Sequence, residues 1–263
     1  MKKILITGAN SYIGTSFERY MQQYANDYQV DTIDMIDGSW REKDFSGYDV
    51  VYHVAGIAHQ KETKKNADLY YKINRDLAIE VARKAKKEGV FQFVFLSSMS
   101  VYGKDTGVIT EATQPAPKCN YGKSKLQAEK GLGELLSDNF IVAILRPPMV
   151  YGEGCKGNYQ TLVKIAQKAP LFADYKNERS MIHIDNLSGF IKAIIDDKKS
   201  GVFLPQDSNY ICTCQMIQSI AMSNGKRMRL TKLLNPFIWF IKVFTRKGKK
   251  AFGNLIYAKE IGE

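Results

Sequence analysis

Histidine and cysteine are scarce, with three and four residues in a chain of 263. The cysteines Cys119, Cys155, Cys212 and Cys214 show no C-x-x-C spacing. Neither a metal site nor a disulfide framework is expected from them, and they read as reduced cytosolic thiols. A secretory leader is not expected, because Met1-Lys2-Lys3 runs straight into a short apolar strand. The apolar-rich stretch from Leu233 to Phe244 is too short to cross a bilayer. Internal repeats and low-complexity linkers are missing too. What is abundant is positive charge, a net +11. Yet the lysines are scattered over helical stretches (Lys84, Lys86, Lys87) and loops, without the interleaved aromatics of a nucleic-acid platform. Solvated faces and attraction for an anionic substrate account for that charge, and no nucleic-acid partner is expected.

A chain of this length with 44% hydrophobic residues can bury a full core. Apolar runs at 2–6, 29–34, 49–54, 91–97, 140–145 and 202–204 read as strands. Helical periodicity covers 12–25, 66–88, 121–138, 158–168, 186–197 and 213–224. Continuous apolar strands between helices imply a parallel sheet covered on both faces. Right-handed crossovers then give an α/β, doubly wound fold that binds ligands at the carboxyl ends of its strands. The pattern loosens near residue 150, where Tyr151-Gly152-Glu153-Gly154-Cys155-Lys156-Gly157-Asn158 clusters glycine. The expected organisation is a dinucleotide-binding part, 1–150, and a smaller substrate-binding part, 151–263, interleaved with the first.

Two local patterns carry chemistry. The strand at 2–6 is followed at once by Thr7-Gly8-Ala9-Asn10-Ser11-Tyr12-Ile13-Gly14 and a helix. A glycine turn there lets backbone approach a pyrophosphate at a helix N-terminus. Ser11 stands where the G-x-x-G-x-x-G fingerprint has its middle glycine, so an ordinary strand–turn–helix is the plain alternative. The second pattern is Tyr121-Gly122-Lys123-Ser124-Lys125, some 23 residues after Ser97-Ser98. Tyr121 and Lys125 lie one helical turn apart on one face. A phenol serves as a base near neutrality if a neighbouring ammonium pulls its pKa down from about 10. Ser98, at the end of a strand, would hold a substrate oxygen. In a lysine-rich chain, a surface helix is the alternative.

Seven segments in order together resemble the extended short-chain dehydrogenase/reductases, the nucleotide-sugar epimerase/dehydratase/reductase family. They are Thr7-Gly8…Ile13-Gly14, His53-Val54-Ala55-Gly56, Asn74, Leu96-Ser97-Ser98…Val101-Tyr102-Gly103, Tyr121…Lys125, Arg146-Pro147-Pro148-Met149-Val150-Tyr151-Gly152, and Ile182-His183-Ile184-Asp185-Asn186. The resemblance implies a Rossmann-type domain with NAD contacts at Gly8, Asn10, Ser11, Tyr12, Ile13, Gly14, Asp34, Val54, Ala55, Gly56, Asn74, Ser97, Tyr121, Lys125, Pro147 and Pro148. It implies catalysis by Ser98, Tyr121 and Lys125, with no metal. Substrate contacts are implied at Ser98, Ser100, Lys156, Asn158 and Arg179, the last on a diphosphate. Asp34 at the end of the second strand would take the adenosine ribose hydroxyls and favour NAD, while Arg41 and Lys43 leave NADP open. His183 is expected to be structural, beside Asp185 capping the helix that follows.

Family dehydratases carry an Asp-Glu pair after the catalytic Ser/Thr, where this chain has Met99-Ser100. The resemblance therefore implies a cytoplasmic, NAD-dependent UDP-sugar 4-epimerase of surface-polysaccharide synthesis, in the manner of UDP-N-acetylhexosamine 4-epimerases. An NAD(P)H-dependent 4-ketoreductase of a UDP-4-keto-6-deoxy sugar is the alternative, and a non-catalytic NAD(P)-binding sensor or scaffold is the alternative from another class. Homodimerisation through two helices per subunit, one carrying Tyr121, is also implied. The segment 233–250 joins apolar residues to a basic run and could lie on the inner membrane surface, or pack as an ordinary helix.

Overall fold

Six apolar segments pair side by side in parallel: β1 (Lys2–Thr7), β2 (Tyr28–Ile33), β3 (Val50–His53), β4 (Gln92–Leu96), β5 (Ile141–Leu145) and β6 (Gly201–Phe203). The computed structural model describes residues 1–58 and 62–259, with backbone alone at Lys64, Asn158, Arg246 and Lys247. The strand order is β6-β5-β4-β3-β1-β2. The order reverses between β1 and β3, the switch point at which open α/β sheets bind ligands. Register aligns Thr7 with His53, His53 with Phe95, and Phe95 with Ile144. The residues that leave these strands thus emerge along one edge. Leu5, Val51, Phe93 and Phe95 are fully buried at the centre, each contributing about 1.5–3 kcal/mol by leaving water.

The chain divides into two units, Met1–Gly103 with Pro115–Pro147 and His183–Pro205, and Lys104–Gln114 with Pro148–Ile182 and Gln206 onward. The first holds the sheet and the helices α1 (Tyr12–Met21), α2 (Ala67–Tyr71), α3 (Ala78–Lys87), α4 (Asn120–Gly133) and α6 (Ile184–Asp196). The second holds α5 (Asn158–Lys168), α7 (Thr213–Ser223), α8 (Asn235–Phe244) and α9 (Arg246–Phe252). Its core gathers Leu162, Ala166, Met181, Met216, Ile217 and Ala221. Two parallel strand pairs flank it, Leu171–Ala173 with Arg229–Thr231 and Gly107–Ile109 with Leu255–Tyr257.

The single helix expected at 66–88 is broken. Between α2 and α3 the backbone widens into a π-helical turn, Lys72–Leu77. Such turns are rare and concentrate at functional sites; this one carries Asn74, which is wholly buried.

Candidate active site

The turn after β1 is built for close backbone approach. Gly8 has φ +109, and a Cβ there would lie 2.8 Å from the Ala55 nitrogen. The Gly8 and Ala9 amides donate to the Ile33 carbonyl at 2.9 and 3.0 Å, which ties the turn to the end of β2 beside Asp34. Val54 and Ala55 both donate to the Thr7 carbonyl, drawing the end of β3 onto the same spot. Asn10 takes a left-handed φ of 65°, tolerated by a short polar side chain. Ser11 is the N-cap of α1, and its Oγ accepts from the Gly14 amide at 3.1 Å. The departure from the fingerprint thus has a local use, since serine satisfies one orphan donor of the helix. A Cβ on Gly14 would lie 2.6 Å from that same Oγ. Tyr12 and Ile13 open the helix. A cradle that any Cβ at Gly8 would fill, at a helix N-terminus on the sheet's switch point, fits a dinucleotide.

Asp34 follows β2 directly, and its Oδ1 accepts from the Ile36 amide at 3.0 Å. Arg41 is held in a bidentate pair with Glu80, at 2.6 and 2.8 Å, and stacks over Trp40. The Lys43 ammonium sits over the Tyr48 ring. Both cations considered for a 2′-phosphate therefore have neighbours of their own.

Asn74 explains the π-turn. Its Oδ1 accepts from the Ile57 amide at 2.8 Å and its Nδ2 donates to the Ile57 carbonyl at 3.1 Å, which clamps the loop after β3. The same Nδ2 reaches Ser124 Oγ at 3.3 Å. A Cβ on Gly56 would stand 2.8 Å from Asn74 Oδ1 and 3.4 Å from Lys125 Nζ. Asn74, Gly56, Ser124 and Lys125 are thus brought together from three parts of the sequence.

Helix α4 carries Tyr121, Lys125 and Glu129 one turn apart. Its first residues lack a local side-chain cap, and Glu62 supplies one: its carboxylate accepts from the Asn120 and Tyr121 amides, both at 3.1 Å. A negative charge there also suits the helix dipole. Gly122 lets α4 pass against the turn after β4, since a Cβ would meet the Ser100 carbonyl at 2.5 Å. Lys125 is buried, donates to the Leu96 carbonyl at 2.7 Å and lies 4.5 Å over the Phe95 ring. Burial lowers its ammonium to about 7, with Glu129 acting in the opposite direction. Tyr121 is half-buried. Burial raises its phenol, and a hydrogen bond with Ser98 works against that rise. The phenol therefore stands above its ordinary value instead of below it as expected, because burial is the largest influence on it.

Ser98 leaves β4 in extended conformation and caps a short 3₁₀ turn, Met99–Tyr102, accepting from the Ser100 amide at 3.1 Å. Its hydroxyl also meets Ser100 Oγ at 3.2 Å. Ser97 is buried and donates to Glu129. Glu129 pairs with Arg146 at 2.6 Å, and Arg146 donates to Tyr102 Oη at 2.8 Å. Pro147 accepts from the Met99 amide at 2.9 Å, fixing the turn that follows Ser98. Pro148 is buried. Beneath the sheet edge, His53 is fully buried, bonded to Thr7 Oγ1 through Nδ1 at 2.7 Å and stacked on Phe93 and Phe95. Burial, then the Lys125 charge, pushes its pKa down to about 3.

The second unit holds Lys156, Asn158 and Arg179. Lys156 is exposed on the loop before α5; Asn158 opens that helix, and its side chain lies outside the described residues. Arg179 exchanges backbone bonds with Ile211 and donates to the Gly253 carbonyl at 3.0 Å. Burial lowers its guanidinium, against the pull of Asp105. In the first unit the helix expected at 186–197 starts at Ile184, and the cap is His183 itself, whose Nδ1 accepts from the Asp185 amide at 3.3 Å. Asp185 falls in the first turn instead of at the cap. Sequence reasoning missed Glu62, Ser124 and Glu129. Only the i+4 spacing from Lys125 pointed to Glu129.

A model of the NAD dependent epimerase/dehydratase family matches residues 4–204. Among similar curated proteins is a UDP-glucose 4-epimerase of Vibrio cholerae, 32% identical over 92% of this chain and 81% of that one. Another is the N-acetyl-alpha-D-glucosaminyl-diphospho-ditrans,octacis-undecaprenol 4-epimerase of Escherichia coli O157:H7, 26% identical over 89% and 76%. The solved UDP-Glc/GlcNAc 4-epimerase of Campylobacter jejuni superposes with a TM-score of 0.73 at 20% identity, covering 99% of this chain and 92% of that one.

Proposed function

The chain belongs to the NAD dependent epimerase/dehydratase family, and within it we propose that it is an NAD-dependent 4-epimerase of a UDP-sugar. The observation that carries this reading is the set Ser98, Tyr121 and Lys125, with Ser98 capping the turn after β4, and Tyr121 and buried Lys125 one turn apart on α4. The two hydroxyls are placed to handle the proton of a sugar hydroxyl. The turn after Ser98 offers Met99 and Ser100, with no carboxylate there to carry an elimination. The names of the two similar curated proteins share a diphosphate-linked hexose and 4-epimerisation, which supports the choice over a ketoreductase. NAD is favoured over NADP because Arg41 is engaged by Glu80 beyond Asp34.

When bound, NAD supplies the acceptor and then the donor of the C4 hydride. Ser98 holds the C4 oxygen, and Tyr121 takes its proton on oxidation and returns it on reduction. Lys125, titrating near neutrality, sits one turn along the same helix to balance charge on the phenol. Asn74 and Gly56 keep the loop after β3 clear for the cofactor. In the second unit Arg179 is assigned to the diphosphate, a bidentate contact for a planar guanidinium, with Lys156 and Asn158 contributing to the sugar nucleotide site. The same reading includes a homodimer formed through α4 and a neighbouring helix. It places the enzyme in the cytoplasm, in surface-polysaccharide synthesis, with the segment 233–250 towards the membrane.

NMR of the protein with UDP-N-acetylglucosamine and catalytic NAD tests the reaction. The C4 epimer should appear without net NADH, and Tyr121→Phe should abolish it. Silence on UDP-hexoses together with turnover of a 4-keto-6-deoxy sugar nucleotide would instead make the protein a reductase. Undiminished turnover in Tyr121→Phe would remove Tyr121 from the chemistry.

A further inference from the structure

Helix α8 presents its apolar side outward. Phe237, Trp239, Phe240 and Phe244 are each more than half exposed, with Val243 at 42% among them. At 3.6 residues per turn these five occupy one continuous arc of the helix. The opposite side is the one that packs. Ile238 is buried, Asn235 donates to the Asp174 carbonyl at 2.9 Å, and Lys242 donates to Tyr175 Oη at 3.0 Å. The helix's only cation is thus turned inward and no charge interrupts the exposed arc. Leu233, just before α8, is 88% exposed and extends the patch. A cluster of this kind on a soluble surface marks an interaction site.

The charge around the arc selects the partner. Lys232 is exposed at one end of the patch. At the other end α9 follows without a loop: Thr245 Oγ1 accepts from the Gly248 amide at 2.9 Å, and a Cβ on Gly248 would lie 2.2 Å from the Ile241 carbonyl. The two helices are therefore locked together, so that exposed Lys249 follows the aromatic arc within two turns of chain, while Lys250 is paired with Asp105 at 3.8 Å. A second copy of a chain with net charge +11 would bring like charges together at this face. An anionic lipid surface satisfies both features, taking aromatic side chains at its acyl boundary and lysines among its headgroups. We infer that the outward arc of α8, flanked by Lys232 and by Lys249 of α9, seats the protein on the surface of an anionic bilayer. This attachment stands on geometry separate from the reaction assigned above.

The chain contains its own reporter. Of its two tryptophans, Trp40 is buried in the first unit and Trp239 is exposed on the arc. With the full-length protein, vesicles of phosphatidylglycerol and phosphatidylcholine should co-sediment it at low salt. They should also shift Trp239 emission to the blue, and brominated acyl chains should quench it. Pure phosphatidylcholine should bind at least about tenfold less protein, and raised salt should weaken anionic binding. Phe237→Ser with Phe240→Ser should cut partition at least about tenfold, and Lys232→Glu with Lys249→Glu should reduce the salt dependence, both with an unchanged circular dichroism spectrum. Absence of Trp239 quenching by anionic vesicles would overturn the inference. So would blue-shifted Trp239 emission without lipid in a protein that sediments as an oligomer, which would assign the arc to a second copy.

Discussion

The bed beneath Tyr121 and the outer face of α8 break the ordinary inside-outside rule in opposite directions. In the first, Lys125, Glu129 and Arg146 are taken out of water; in the second, a row of aromatic side chains is left in it. Burial of charge is tolerated in the bed because each group has a partner. Glu129 accepts from Ser97 and Arg146, Arg146 also donates to Tyr102, and Lys125 donates to the Leu96 carbonyl. Hydrophobic replacement of such a network is often no less stable, so its retention is better explained by what it positions. The aromatics of α8 contribute little to folding, and their composition answers to something outside the chain. Both departures mark places where function, not fold stability, chooses the residue.

The largest expected effect separates chemistry from scaffold. Tyr121→Phe deletes one hydroxyl from a side chain whose ring stays in place, and turnover should fall about 10²–10⁴-fold while stability changes little. A fall in thermal stability matching the loss of turnover would place Tyr121 in the scaffold instead.

Next, Glu129→Ala should cost about 3–5 kcal/mol of folding free energy by taking the carboxylate away from the largely buried Arg146 guanidinium. Glu129→Gln, which can still accept from Ser97, should cost less. Urea titrations of the two variants compare them directly. A loss below about 1 kcal/mol for the alanine would mean that water reaches Arg146, and the bed would not be the sealed counterpart to α8.

These two positions also show what the amino-acid order made legible. The alternation of apolar strands and helices located all six strands of the sheet within about a residue at each end, because buried parallel strands are marked by their own composition. Tyr121 and Lys125 could be paired because a helix turn is local. Glu62 could not be read as the cap of α4, since 58 residues separate it from Asn120. Nor could the π-turn at Lys72–Leu77, which arises because Asn74 reaches the Ile57 backbone and Ser124 at once. Ser11 read as a defect in a glycine motif until its bond to Gly14 made it a helix cap. The segment 233–250 stayed ambiguous because α8 is apolar on both sides, and hydropathy alone does not say which side meets the protein.

A smaller effect follows from titration in the bed. His53 and Lys125 are both held towards their neutral forms in the folded protein, at about 3 and about 7. Each binds its proton more readily when unfolded, so stability rises with pH across each group's window. For His53 the contribution is complete above its ordinary value of 6.5 and is lost as pH falls towards 3. Acidification from pH 6.5 to 5 should cost about 2 kcal/mol from this residue. For Lys125 the window lies between 7 and its ordinary 10.5. Denaturant midpoints across pH, compared with His53→Gln and Lys125→Met, should show each slope vanish in its own variant. A slope unchanged in His53→Gln would show that the ring is protonated in the folded state.

The smallest effect sharpens the comparison most. If α8 is held only by its inner side, substitutions on its two sides should differ in kind. Ile238→Ala removes a buried side chain and should cost about 2–4 kcal/mol. Phe240→Ser on the outer arc removes a larger side chain that is 55% exposed, and should change stability by no more than about 0.5 kcal/mol. The Phe240–Phe244 ring contact, with centroids 4.5 Å apart, adds a little to the wild type and sets the upper end of that range. Thermal melts of the two variants measure the contrast. Equal losses would mean that the outer arc is already covered in the free protein, and the two regions would then obey one rule.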